Sequence, residues 1–88
     1  LIGAHPSYPD RQGFGRRSMA LTAQELSNCL HYQIAAIEGM AKVQGLTLEY
    51  VKPHGALYND MMVDETLLTT VMQAVAGYPS ALKLMILA

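Results

Sequence analysis

The chain has 88 residues, of which 51% are hydrophobic and 15% charged, and a net charge of −1. That balance describes a folded chain rather than a disordered one, and with no basic stripe interleaved with aromatics it gives no reason to expect nucleic acid. One cysteine cannot form an internal disulfide and no apolar run approaches the ~18 residues of a membrane span, so a soluble protein of the reducing cytoplasm, with no membrane contact, is expected.

The chain opens on Leu1-Ile2-Gly3-Ala4, an apolar run that suits a strand and breaks at His5-Pro6. It begins without Met and closes inside another apolar run, so residues 1–88 read as a single partial domain, an internal piece of a larger fold. Residues 5–21 form a long connection with Pro6, Pro9, Gly13 and Gly15, and they carry Asp10, Arg11, Arg16 and Arg17. A connection of that length without periodicity is more often functional than a plain linker. Gly13-Phe14-Gly15 is too short for a dinucleotide fingerprint, and no strand immediately precedes it.

Thr22-Ala23-Gln24-Glu25 is a capping box and predicts a helix start, with Gly45 as its stop. At 100° per residue, Ala23, Leu26, Leu30, Ile34, Ile37, Met40 and Ala41 share one face, opposite Gln24, Asn28, His31, Glu38 and Lys42. Gln33 falls within the apolar face, where an unpaired amide is costly, so a buried polar partner is implied. Cys29 at the margin of that face reads as a small core side chain, and His31 as a solvated one.

Leu48-Glu49-Tyr50-Val51 suits a second strand, ended by Lys52-Pro53-His54-Gly55. Gly55 to Met62 reads as a short helical turn, and Asp64 or Glu65 starts a second long helix that buries Leu67, Leu68, Val71, Met72 and Val75. Gly77 and Pro79 end it, and the continuous run Leu84 to Ala88 is expected to be a strand covered on both faces.

Strand, helix, strand, helix, strand is an α/β order, and strands so connected pair in parallel through right-handed crossovers. Their C-terminal ends then share one rim, where ligand sites of α/β sheets gather, and neighbouring backbones lie ~4.8 Å apart. His5 and His54 are expected to face one cavity. Two imidazoles there suit either a divalent metal, with a third ligand from Asp10 or elsewhere, or general acid/base work; turns whose imidazoles bond to backbone carbonyls fit the same spacing. Lys52, Arg11, Arg16 and Arg17 against Asp10 and Asp60 favour an anionic ligand at this rim, although loop arginines also serve solvation alone. Tyr58 and Asn59 have the hydrogen-bonding capacity to hold an amide.

Three motifs in order, Gly3-Ala4-His5-Pro6-Ser7-Tyr8-Pro9-Asp10-Arg11, Phe14-Gly15-Arg16-Arg17 and Val51-Lys52-Pro53-His54-Gly55-Ala56-Leu57-Tyr58-Asn59, resemble the central motifs of the LamB/YcsF family, whose members are known as the A subunit of 5-oxoprolinase. The likeness covers nearly the whole chain, Tyr32-Gln33-Ile34 included. It implies an irregular β/α barrel similar to the polysaccharide deacetylase fold, acting with subunits B and C to open the lactam of 5-oxo-L-proline to L-glutamate with ATP hydrolysis. Phosphorylating the lactam oxygen would turn the ring carbon into an activated imidate open to water.

Carried over by position, the resemblance implies that His5 and His54 bind a metal or activate the water and that Asp10 orients or accepts a proton. Lys52 meets phosphoryl oxygens, Arg16 clamps the substrate carboxylate, and Tyr58 and Asn59 hold the amide. The family's upstream Asn-x-Asp and Cys-Gly-x-His stretches and its C-terminal acidic and arginine-bearing motif are absent from this chain. Two other readings compete: a metal-dependent, deacetylase-like amide hydrolase that needs no ATP, and a non-catalytic component that binds a small carboxylic acid.

Overall fold

The structure, a computed structural model, describes residues 2–10, 15 and 18–86. Its elements are β1 (Ile2–Ala4), α1 (Ala23–Val43), β2 (Leu48–Val51), α2 (Ala56–Val63), α3 (Glu65–Gly77) and β3 (Lys83–Leu84). The three strands form one parallel sheet in the order β1-β2-β3, with Ala4 beside Val51 and Val51 beside Leu84. The expected alternation and direction of the strands are both present.

The helix ends follow from local chemistry. The Glu25 amide donates to Thr22 Oγ1 at 3.1 Å while the Thr22 amide donates to Glu25 Oε1 at 2.9 Å, completing the capping box. At the other end of α1, Gly45 takes φ +73° and its amide donates to the Lys42 carbonyl, while the Leu46 amide donates to that of Ala41. This pair of bonds is a Schellman stop, which needs a residue tolerant of positive φ. Asp64 caps α3 by accepting from the amides of Thr66 and Leu67 at 3.0 and 3.2 Å. Residues 56–63 make a full eight-residue helix rather than a short turn.

The core joins Leu26, Leu30 and Ile34 of α1 to Leu48 and Val51 of β2, Leu57 and Met61 of α2, and Val71, Ala74 and Val75 of α3. It is narrower than the periodicity predicts. Ile37 and Met40 of α1 are 37% and 62% exposed, Met72 of α3 is 52% exposed, and Ala23 lies at the open start of α1. Part of the polar face of α1 is used instead: His31 Nε2 donates to the Ala74 carbonyl at 2.7 Å, and Glu38 accepts from Tyr78 Oη at 2.7 Å and Ser80 Oγ at 2.6 Å. A helix packed at once on a sheet and on another helix turns two flanks inward, and the second of these is polar here. His31 is therefore a bridge to α3 rather than a solvated side chain.

The last strand also departs from expectation. β3 is only Lys83–Leu84, its pairing extended by the Met85 amide donating to the Val51 carbonyl at 2.8 Å. Leu84 packs against the core while Met85 and Ile86 are 48% and 42% exposed, so among the described residues this run is covered on one face, and Leu87 and Ala88 lie outside them.

Candidate active site

Both strand exits continue side by side beyond the sheet. The Lys52 amide donates to the Ala4 carbonyl and the His54 amide to the Pro6 carbonyl, each at 2.8 Å, so these two bonds bracket His5. The parallel register thus carries both Pro-flanked histidines to the same rim. A cleft of about 870 Å³ opens there, with His5, Asp10, His54, Ser7, Cys29 and Gln33 among its lining. Asp10 is 8% exposed, His54 half-buried and His5 exposed.

Two glycines shape this rim. Tyr50 lies over Gly3, where a Cβ would collide with its ring, and the Tyr50 ring centroid stands 6.3 Å from that of His5. Gly15 has φ +72°, and a Cβ there would come within 2.8 Å of the Ser7 side chain and 3.4 Å of His54 Cδ2. The Gly15 amide donates to the Asp10 carbonyl and its own carbonyl accepts from the Ala56 amide, each at 2.9 Å, tying the loop back to the start of α2.

Other predicted site residues stand apart. Lys52 is exposed beyond β2, and Tyr58 and Asn59 lie on α2, half-buried and exposed; none of the three lines the cleft. Arg16 lies outside the described residues, as do Arg11 and Arg17. Among the described residues no group of three or more His, Cys, Asp or Glu is arranged to hold a metal ion. A divalent ion at His5 and His54 would draw its remaining ligands from elsewhere.

Sequence reasoning missed the side chains that hold the rim. Gln33 does have its implied polar partner: Oε1 accepts from the Ser7 amide at 3.0 Å and Nε2 donates to the Ser7 carbonyl at 2.7 Å. Beside it, Tyr8 Oη donates to Asp60 Oδ2 at 2.7 Å, joining the loop to α2 across 52 positions of sequence. Only the misplaced polarity of Gln33 hinted at these contacts; Tyr8 and Asp60 carry no such signal.

Burial, reinforced by the hydrogen bond to Asp60 and its negative charge, pushes the Tyr8 phenol up to about 12. Burial and Glu38 push Tyr78 to about 12 as well. A phenol whose folded value exceeds its unfolded one stabilises the fold fully below the unfolded value, ~10, and loses that contribution as pH rises through the folded value. Alkaline unfolding is therefore expected over this interval. Tyr8→Phe should cost about 1 kcal/mol near neutrality, with the gap from wild type narrowing as pH climbs from ~10 to ~12, as thermal melts across that range would show. A gap independent of pH would contradict this role.

Comparison with known proteins shows the family. The LamB/YcsF family model matches residues 1–88. The chain is 61% identical over 87 residues to one of the 5-oxoprolinase A subunits of Pseudomonas putida (strain KT2440) and 52% identical over 88 residues to the 5-oxoprolinase A subunit of Vibrio cholerae serotype O1. These alignments take in 99% and 100% of this chain but 34% and 35% of the relatives, so the chain spans about a third of their length. A crystal structure of the lactam utilization protein from Thermus thermophilus superposes with a TM-score of 0.93 at 42% identity, over 99% of this chain and 35% of that one. With a family match along every residue and a parallel sheet that superposes on a solved relative, the chain belongs to the LamB/YcsF family.

Proposed function

We propose that the protein to which these residues belong is the A subunit of an ATP-dependent 5-oxoprolinase, which opens the lactam of 5-oxo-L-proline to L-glutamate in the cytoplasm together with subunits B and C. The observation that carries this reading is the meeting of His5, Asp10 and His54 in one cleft at the C-terminal ends of parallel strands, in a chain 61% identical to a protein of that name. In this reading residues 1–88 are one partial domain of an irregular β/α barrel similar to the polysaccharide deacetylase fold.

A lactam is a poor electrophile because its nitrogen lone pair is delocalised into the carbonyl. ATP, when bound, supplies the activation by transferring a phosphoryl group to that oxygen. The chain's own groups then have separable tasks. One imidazole of the His5 and His54 pair takes a proton from the attacking water and a proton is delivered to the ring nitrogen as its bond to carbon breaks, which leaves a γ-glutamyl phosphate that a second water hydrolyses to glutamate and inorganic phosphate. Asp10, almost enclosed in the cleft wall, orients the water or accepts that proton. Lys52, exposed just beyond β2 and outside the cleft lining, is assigned the phosphoryl oxygens. Arg16 is assigned the substrate carboxylate, and Tyr58 and Asn59 the amide.

Mixing the complete protein with subunits B and C is expected to yield ADP and glutamate in equal amounts, and none when any one of the three is left out. Glutamate formed without nucleotide, and abolished by a chelator, would replace this reading with the deacetylase-like one. Saturable binding of 5-oxoproline with no product would make the protein a non-catalytic binding component.

A further inference from the structure

The structure assigns Gln33 a positioning role: its side-chain amide holds the backbone of Ser7, and through it sets where His5 and Asp10 stand in the cleft. The inference rests on the functional reading above for what those two residues do, and on geometry alone for the clamp.

Ser7 lies midway along the connection from His5 to Asp10, and both of its backbone polar groups are taken by one side chain. Holding the amide and the carbonyl of one residue takes a donor and an acceptor on the same side chain, which a carboxamide provides and an ionised carboxylate does not. The two contacts also fix which way the amide faces, and its nitrogen makes a further 3.0 Å contact with Cys29 Sγ. Gln33 is itself immobilised, because the preceding turn and the next residue of α1 place Leu30 and Ile34 in the core with no exposure and both ends of the helix are capped.

The loop has little freedom left on either side. Pro6 is fully buried and Pro9 restricts φ, while Tyr8 is anchored by Asp60 from α2. Adjacent residues of the loop are thus held by two different helices. Without the Gln33 contacts, the Ser7 amide would lose the Gln33 acceptor and the Ser7 carbonyl would keep the long 3.9 Å contact from Cys29 Sγ, so the loop would be free to move by fractions of an ångström. Displacements of about 1 Å at reacting groups cost up to ~10²-fold in rate.

The test uses the complete protein assembled with subunits B and C. Gln33→Leu removes both contacts and should lower kcat by about 10-fold, with KM for 5-oxoproline changed by less than about twofold. Gln33→Glu keeps the acceptor, and its carboxyl regains a donor only when protonated, so its kcat relative to wild type should rise as pH is lowered. Cys29 on the same helix and His5, Asp10 and His54 also line the cleft, so the wild-type profile measured alongside is the reference for that ratio.

Wild-type kcat in Gln33→Leu, with a lowered Tm, would reduce Gln33 to a structural residue and overturn the inference, as would a Gln33→Glu ratio that does not vary with pH. NMR signals of the Ser7 amide and the His5 imidazole in the free full-length protein read the clamp without turnover, and both should shift in Gln33→Leu. If the wild-type assembly fails to open 5-oxoproline, the functional reading falls while these signals still decide the clamp; an unmoved His5 signal overturns it.

Discussion

His54→Ala in the complete protein, assayed with its partner subunits, is expected to lower kcat by on the order of 10²- to 10⁴-fold, the usual contribution of a positioned acid or base. The fold should survive, because the backbone amide that His54 donates to the Pro6 carbonyl is one that any residue but proline supplies. The imidazole faces the cleft beside His5 and Asp10. An unchanged circular dichroism spectrum with activity nearly abolished is the expected pair of results. Wild-type turnover with the imidazole gone would remove His54 from the chemistry and leave Pro53-His54-Gly55 as a turn only.

Leu30→Ala should produce the largest loss of stability, about 2–5 kcal/mol, through lost burial and the cavity left behind. Leu30 has no exposed surface and sits in the core cluster with Leu26 and Ile34 of α1 and residues of both other helices and the sheet. Urea denaturation of the complete protein would show a lower midpoint with an unchanged slope. Ile37→Ala, one turn from the core and 37% exposed, should cost much less despite an equally apolar side chain. Equal losses at the two positions would mean that burial in this structure does not describe the core.

The contrast between Leu30 and Ile37 marks where periodicity stops being informative. A helical wheel assigns both to one face, yet the width of the buried stripe depends on how the neighbours approach, and α3 approaches α1 from the His31 and Glu38 side. The same geometry drew polar groups inward and left Met40 and Met72 in solvent. For the site, the two histidines were legible because parallel strands must release their chains at one rim, and Pro6 and Pro53 mark where each release occurs. The cleft walls were not: Tyr8 meets Asp60 and Gln33 meets Ser7 across 52 and 26 positions, and nothing local pairs them.

What could be read directly from the amino acids here is what short-range chemistry dictates. The Thr22–Glu25 box, the Gly45 stop and the order of apolar runs each depend on a few adjacent residues, and they were enough for the helix ends and the parallel sheet. Which side of α1 meets α3, where the edge strand ends, and which side chains grip the loop between His5 and Asp10 were decided only when the elements packed. Those contacts join distant segments, and their energies depend on distances of a few ångströms that no stretch of sequence contains.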